Sequence, residues 1–266
     1  MKSKLGKVAV ILVVICGCTV LSVYLWGNPA NTPWQDTVDA FSALAHTQWP
    51  IPEHLLQENA ARTGDEFDVN EYFAALDHLS MQPEYVLDYV YYYYDIGGEP
   101  ILYAKPADQS AYATYAEYVK LYGSPSQLSP WDIQYEYLDH VQVDDTPEGF
   151  FELVVLRTMG TQFYQDWHAG YNDTTIVCDR QALEDVLASD QIYSTGIPFT
   201  TRVRARFLDV VPIVDVGAQT VLVRIVVFTK WGGFIENTYT ISRSFPYTIL
   251  GEESRTLVHY EVPWAY

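Results

Sequence analysis

Residues 85–103, YVLDYVYYYYDIGGEPILY, run as a block of Val, Leu and Tyr from Tyr85 to Tyr94, break at Gly97 and Gly98, and resume with Ile101, Leu102 and Tyr103. β-Branched and aromatic side chains suit a pleated surface, and paired glycines supply the backbone freedom of a turn, so the stretch reads as a β-hairpin. Consecutive strand residues project to opposite faces, so Tyr89 and Tyr91 to Tyr94 cannot all serve one surface. Packing and sheet propensity account for the run. The functional alternative makes these tyrosines, with Trp131, Trp167, Trp231 and Trp264, stacking platforms for sugar rings.

Upstream of the hairpin lie three helical patterns: Gln35 to Ala45, Pro52 to Arg62 ahead of Thr63 and Gly64, and Asn70 to Leu79 behind the candidate cap Asp68. In the third, Tyr72, Phe73, Leu76 and Leu79 share a face. Downstream, Ser110 to Leu121 is helical again. The Ser-, Pro- and Gly-rich stretch from Gly123 to Pro130 separates a helix-rich part with the hairpin, residues 34–125, from a β-rich part, residues 126–266, as two domains or as two parts of one. In the latter, Phe150 to Arg157, Phe163 to Tyr171 and Thr174 to Cys178 read as a meander, and Arg180 to Ala188 as a helix. Four strands follow from Thr201, with turns at Gly217 to Gln219 and at Gly232 and Gly233. The expectation is an α+β protein, a helix-rich N-terminal half followed by a curved antiparallel sheet, with one transmembrane helix before both.

That first helix is read from Val8 to Trp26, an uncharged and mostly apolar run behind Lys2, Lys4 and Lys7. At ~1.5 Å per helical residue it spans close to the ~30 Å hydrocarbon core, and lysines in front favour a cytoplasmic N-terminus. Residues 1–27 are thus expected to anchor the chain, residues 28–33 to form a short polar spacer, and the remainder to lie outside the cytoplasm. Lipid attachment at Cys18, within Ile15, Cys16, Gly17 and Cys18, is the alternative anchor. A cleaved secretory signal fits less well, because the chain stays apolar through Tyr24, Leu25 and Trp26.

All 34 acidic residues follow position 27, against twelve of the 15 basic ones, so this part carries a net charge of −22. Phosphate backbones demand a basic face, which argues against nucleic acid as a partner, and anionic lipid would repel such a domain and hold it off the membrane surface. Cys178 is the one cysteine beyond the apolar run, so an internal disulfide is excluded there.

Cys178 with His168 has the residue types of a thiolate–imidazole pair. A two-residue turn at Asn172 and Asp173 would set Trp167 opposite Cys178 and His168 opposite Val177, which makes Cys178 a core residue and leaves Tyr164, Asp166 and His168 on the other face. These three are candidates for proton transfer or simply a hydrogen-bonded polar face. Arg202, Arg204 and Arg206 alternate along an expected strand and could clamp an anion, or pair with acids such as Asp209 and Glu152. The acidic cluster Asp65, Glu66, Asp68, Asn70 and Glu71 lacks EF-hand spacing and reads as a solvated helix start. Asn172, Asp173 and Thr174 match the glycosylation sequon. There is no phosphate-binding glycine loop, H-E-x-x-H, C-x-x-C or G-x-S-x-G, and no cofactor or metal is expected. The function expected is that of a membrane-anchored, extracytoplasmic binding or envelope-interaction module, its partner an envelope protein or glycan. The alternative is an envelope-acting hydrolase or transferase built on Tyr164, Asp166 and His168.

Overall fold

The computed structural model describes residues 33–46, 48, 50–94, 97–122, 133–167, 174–189 and 196–261. The tyrosine-rich stretch forms the predicted hairpin, β2 (Tyr85–Tyr94) against β3 (Gly97–Pro106), with Tyr89 opposite Leu102 and Val90 opposite Ile101. Its faces alternate as the period of two requires: Leu87, Tyr89, Tyr91 and Leu102 enter the main core, while Val90, Ile101 and Tyr103 enter a second cluster with Tyr118, Val119 and Ile133. Gly98 is where the hairpin approaches its own ring. A Cβ there would lie 2.6 Å from the hydroxyl of Tyr91, a fully buried side chain that donates to the Tyr164 carbonyl.

Helix α1 (Pro33–His46) opens the described chain and packs Val38 and Phe41 into the main core. The other expected helices of the first half are shorter than their patterns. Glu53–Leu55 and Val69–Ala74 are 3-10 turns, the second capped by Asp68, whose carboxylate accepts from the Asn70 amide, as predicted. Of Ser110 to Leu121, only α2 (Tyr115–Tyr118) and the 3-10 turn Val119–Tyr122 are helical. β1 (Leu79–Met81) pairs with β4 (Val141–Val143), so the first half carries strands as well as helices.

The largest correction falls on Phe150 to Arg157, which is not a strand but the middle of helix α3 (Pro147–Met159). Thr146 caps it by accepting from the Gly149 amide, and Pro147 occupies its first turn. The helix is buried on nearly every side, so its sequence carries no amphipathic period and imitates a buried strand. It lies against the expected antiparallel sheet of five strands, in which β6 (Thr175–Val177), β8 (Thr220–Thr229), β9 (Gly233–Ser242) and β10 (Ile249–Val258) are neighbours in the order 10-9-8-6. β7 (Ile213–Val216) also pairs with β8, and residues 217–219 and 230–232 form the anticipated turns. β8 alternates as it should: Val221, Val223, Ile225 and Val227 face α3, whereas Val226 and Phe228 face α4 (Arg180–Ala188) and α5 (Phe199–Ala205).

The meander fails for a local reason. Phe163 and Tyr164 are not extended, Tyr164 having a φ of 51°, and β5 (Asp166–Trp167) pairs with β3 while β6 pairs with β8. The segments expected to pair belong to different sheets. The arginine strand is overturned too: Arg202 and Arg204 lie in α5, entered through Pro198, and Arg206 caps its end. Residues from both sides of Gly123 to Pro130, such as Tyr72, Leu87, Phe150 and Tyr239, share one hydrophobic cluster. No helix among the described residues is long and apolar enough to cross a membrane; Val8 to Trp26, Cys18 and the 123–130 boundary lie outside them.

Candidate functional site

The second face of the hairpin, together with the segment from Gln109 to Tyr122, builds a cleft of about 310 Å³ lined chiefly by tyrosines. Its floor is the stacked pair Tyr103 and Tyr118, ring centroids 4.8 Å apart and planes 25° from parallel, with Tyr112 tilted over both. Tyr115, Tyr118 and Tyr122 follow helical spacing, which turns their rings toward the hairpin. The far wall is Tyr85 stacked on His140 at 4.2 Å. His140 is fixed by Gln82, whose side-chain oxygen lies 3.1 Å from the imidazole Nδ1 and whose amide donates to the His140 carbonyl at 2.7 Å.

The polar groups of the cleft are placed by one another. Gln109 donates through Nε2 to the Tyr112 hydroxyl at 2.7 Å, the Tyr112 amide donates to the Tyr103 hydroxyl at 3.0 Å, and Tyr122 donates a short bond to Glu136. Burial raises the Tyr103, Tyr118 and Tyr122 hydroxyls, so they stay neutral and can both donate and accept at neutral pH. Lys105 brings a cation to the site, beside the Glu136 carboxylate. It is only 8% exposed, and its Nζ donates to the Gln109 carbonyl at 2.8 Å. An ammonium carries three N–H groups, so two remain for a bound molecule. Buried charge without a full set of partners is costly, and a few convergent polar groups in an aromatic cleft are the usual form of a small-molecule site.

Two other clusters are present. His78 Nδ1 lies 2.8 Å from Glu152 Oε1 and 3.0 Å from the exposed Asp77, and the His78 amide donates to Glu152 Oε2 at 2.9 Å. The hydrogen bond to Glu152 raises the His78 pKa, and burial raises that of Glu152. One histidine and two carboxylates could ligate a cation, but with both Glu152 oxygens already bonded to His78 the arrangement is that of an ion pair tying α3 to β1. The third cluster surrounds Arg62, which donates to Asp88 and to the Tyr89 carbonyl and sits 3.8 Å over the Tyr89 ring. Beside it Glu66 is not solvated as its acidic neighbourhood suggested: its side chain is 1% exposed and accepts from the Thr63 and Gly64 amides and from His54.

The residues singled out from sequence do not meet at one place. Tyr164 is buried, its hydroxyl accepting from the Phe67 amide; Asp166 lies in β5 opposite Gly98; and His168 falls outside the described residues, as do Asn172 and Asp173. Cys178 is fully buried, as expected of a core cysteine, its amide donating to Gln35 and its thiol pushed up by burial. Arg202 donates to the Ile197 carbonyl, Arg206 pairs with Glu184, and Arg204 is exposed. The acids proposed for them pair elsewhere, Asp209 with Arg224 and Glu152 with His78. The cleft residues Tyr85, Lys105, Tyr112, Tyr122 and His140 carried one readable signal, the tyrosines at positions 112, 115, 118 and 122 in a segment of helical character. Comparison with protein-family models, with characterised proteins and with solved structures finds no match to this chain.

Proposed function

We propose that this protein is a membrane-tethered, extracytoplasmic binding module whose tyrosine cleft takes a glycan of the cell envelope. The observation that carries this reading is the buried Lys105 ammonium, with donors to spare, at the edge of a floor of stacked tyrosines. A pyranose ring presents an apolar C–H face to an aromatic ring and hydroxyl or acylamino oxygens at its edge. Tyr85, Tyr112 and Tyr122 supply the first complement, Lys105, Gln109 and Glu136 the second. A net charge of −22 beyond residue 27 is consistent with an uncharged ligand rather than an acidic polymer.

The tether rests on Val8 to Trp26 and its three preceding lysines, with lipidation at Cys18 as the other form of the same attachment. The test has two arms. Alkaline carbonate extraction of cell membranes should leave the full chain in the pellet, and its appearance in the supernatant contradicts the tether. Purified full chain should gain thermal stability with chitotetraose in a saturable manner, since a ligand that binds only the folded state raises its melting temperature. No shift at saturating sugar contradicts the glycan reading.

A further inference from the structure

Helix α5 is short, and its apolar side chains face the wrong way for a core element. Phe199 is 78% exposed, Val203 38% and Phe207, in the turn that ends it, 85%; they recur every four residues and so form one stripe. Ala205 is the helix's contact with the core, buried with Leu183, Leu187 and Ile197. Two phenylalanines held almost wholly in water, on a helix that packs only by its opposite side, mark an interaction surface.

The surroundings of the stripe say what covers it. Arg180, Arg202, Arg204 and Arg206 gather here, one third of the basic residues that follow position 27 in a chain otherwise strongly acidic. Arg180 donates to the Arg206 carbonyl at 2.5 Å and Arg206 pairs with Glu184, while Arg204 has no carboxylate partner among the described residues. Phenylalanines beside arginines on one short helix are the composition of an element that sits at a lipid–water boundary, rings among acyl chains and guanidiniums among headgroup phosphates.

The path of the chain supplies a second, independent argument. Gln35, two residues into α1, accepts from the Cys178 amide at 2.9 Å; Asp179 caps α4; and Arg180, the first residue of α4, holds the end of α5 at Arg206. The start of α1 is therefore joined to the end of α5 through Gln35, Cys178, Arg180 and Arg206. Pro33 is also where the six-residue spacer arrives from the apolar run Val8 to Trp26, and six residues reach at most about 20 Å. Whatever surface holds the run must lie within about that distance of Pro33, at one end of this chain of contacts.

We infer that α5 is a membrane-docking element: Phe199, Val203 and Phe207 insert into the bilayer that holds the N-terminal segment, and the arginines engage its phosphate headgroups. The inference rests on the tethered reading above. It bears on a difficulty in that reading, the repulsion of a domain of net charge −22 by anionic lipid, since four of its twelve basic residues gather around α5, beside Asp179, Glu184, Asp185 and Asp209. Docking by α5 would fix one orientation of the domain on the membrane.

The test uses the full chain reconstituted in phosphatidylcholine–phosphatidylglycerol vesicles, with Phe207→benzoylphenylalanine and, separately, Phe199→benzoylphenylalanine. Both positions are exposed, so the larger ring fits without disturbing the core. After irradiation, intact mass should show adducts of phospholipid mass at both positions. Absence of lipid adducts, or adducts to protein alone, in chain that remains in the carbonate-resistant pellet overturns docking and leaves the tether standing. Chain released by carbonate overturns both.

Discussion

The ring of Tyr85 lies 4.2 Å from that of His140 and only 18° from parallel, and this stack lines the cleft together with Tyr112. It joins the first residue of β2 to the last residue of the 3-10 turn Glu136–His140, two residues more than fifty positions apart in sequence. Tyr85→Ala should weaken chitotetraose binding about tenfold, the scale of one aromatic contact at roughly 1.4 kcal/mol, with little loss of stability because the ring is half-exposed. Tyr85→Phe should bind as the parent does. Isothermal titration of the three proteins checks both.

Glu66 is a buried acid that holds its charge. Burial opposes ionisation, but hydrogen bonds from the Thr63 amide, His54 and the Gly64 amide outweigh it and hold the pKa down to about 2. The folded value lies below the unfolded ~4.3, so the carboxylate's contribution is fully present above that pH and is lost as pH falls through about 2. Glu66→Gln should cost about 2 kcal/mol at pH 7 and flatten the acid limb of stability, as urea denaturation from pH 2 to 7 will measure.

Glu99 behaves in the opposite sense. It is 8% exposed, its Oε1 has no hydrogen-bond partner, and burial pushes its pKa up to about 7. Between ~4.3 and about 7 the folded state keeps a proton that the unfolded state has released, so stability falls as pH rises through that window and then levels. Glu99→Gln removes the cost of a lone buried charge and should stabilise the protein at pH 8 by about 2 kcal/mol, with little change at pH 4. Equal stabilities at pH 8 would contradict the assignment.

Gly98 tests the packing of the hairpin. A methyl group there would meet the Tyr91 ring at 2.6 to 2.9 Å, and Tyr91 is 1% exposed and hydrogen-bonded to Tyr164, so it has no room to turn aside. Gly98→Ala should destabilise by about 1–3 kcal/mol, the range of overpacked cores, seen as a lower melting temperature.

Legibility in the sequence followed how much of the physics is local. The hairpin, α1, α4, the Asp68 cap and the turns before β8 and β9 were readable because propensity, caps and glycines act within a few residues. α3 was not, since a helix wrapped by core on all sides shows no period, though Thr146 and Pro147 signalled its start. α5 is not distinctive in sequence because arginines at alternate positions fit a strand as well as a helix, and Pro198 is the one local signal of its start. The cleft was half legible: its tyrosines stand out, but that Lys105 is buried among them depends on pairing between β2 and β3 and on where the chain returns after Gln109. Glu66 looked like one acid among several because the amides that bury it come from backbone geometry.

The tyrosine cleft, with Lys105 at its edge, is proposed as a glycan site. Saturation-transfer NMR on the full chain, irradiating aromatic protons and observing chitotetraose, tests it most directly. Transfer should reach the sugar ring protons in the parent, disappear in Tyr112→Ala and weaken at least tenfold in Lys105→Met, both variants retaining the parent fold by circular dichroism. Absence of transfer in the parent, or transfer unchanged in both variants, would contradict it.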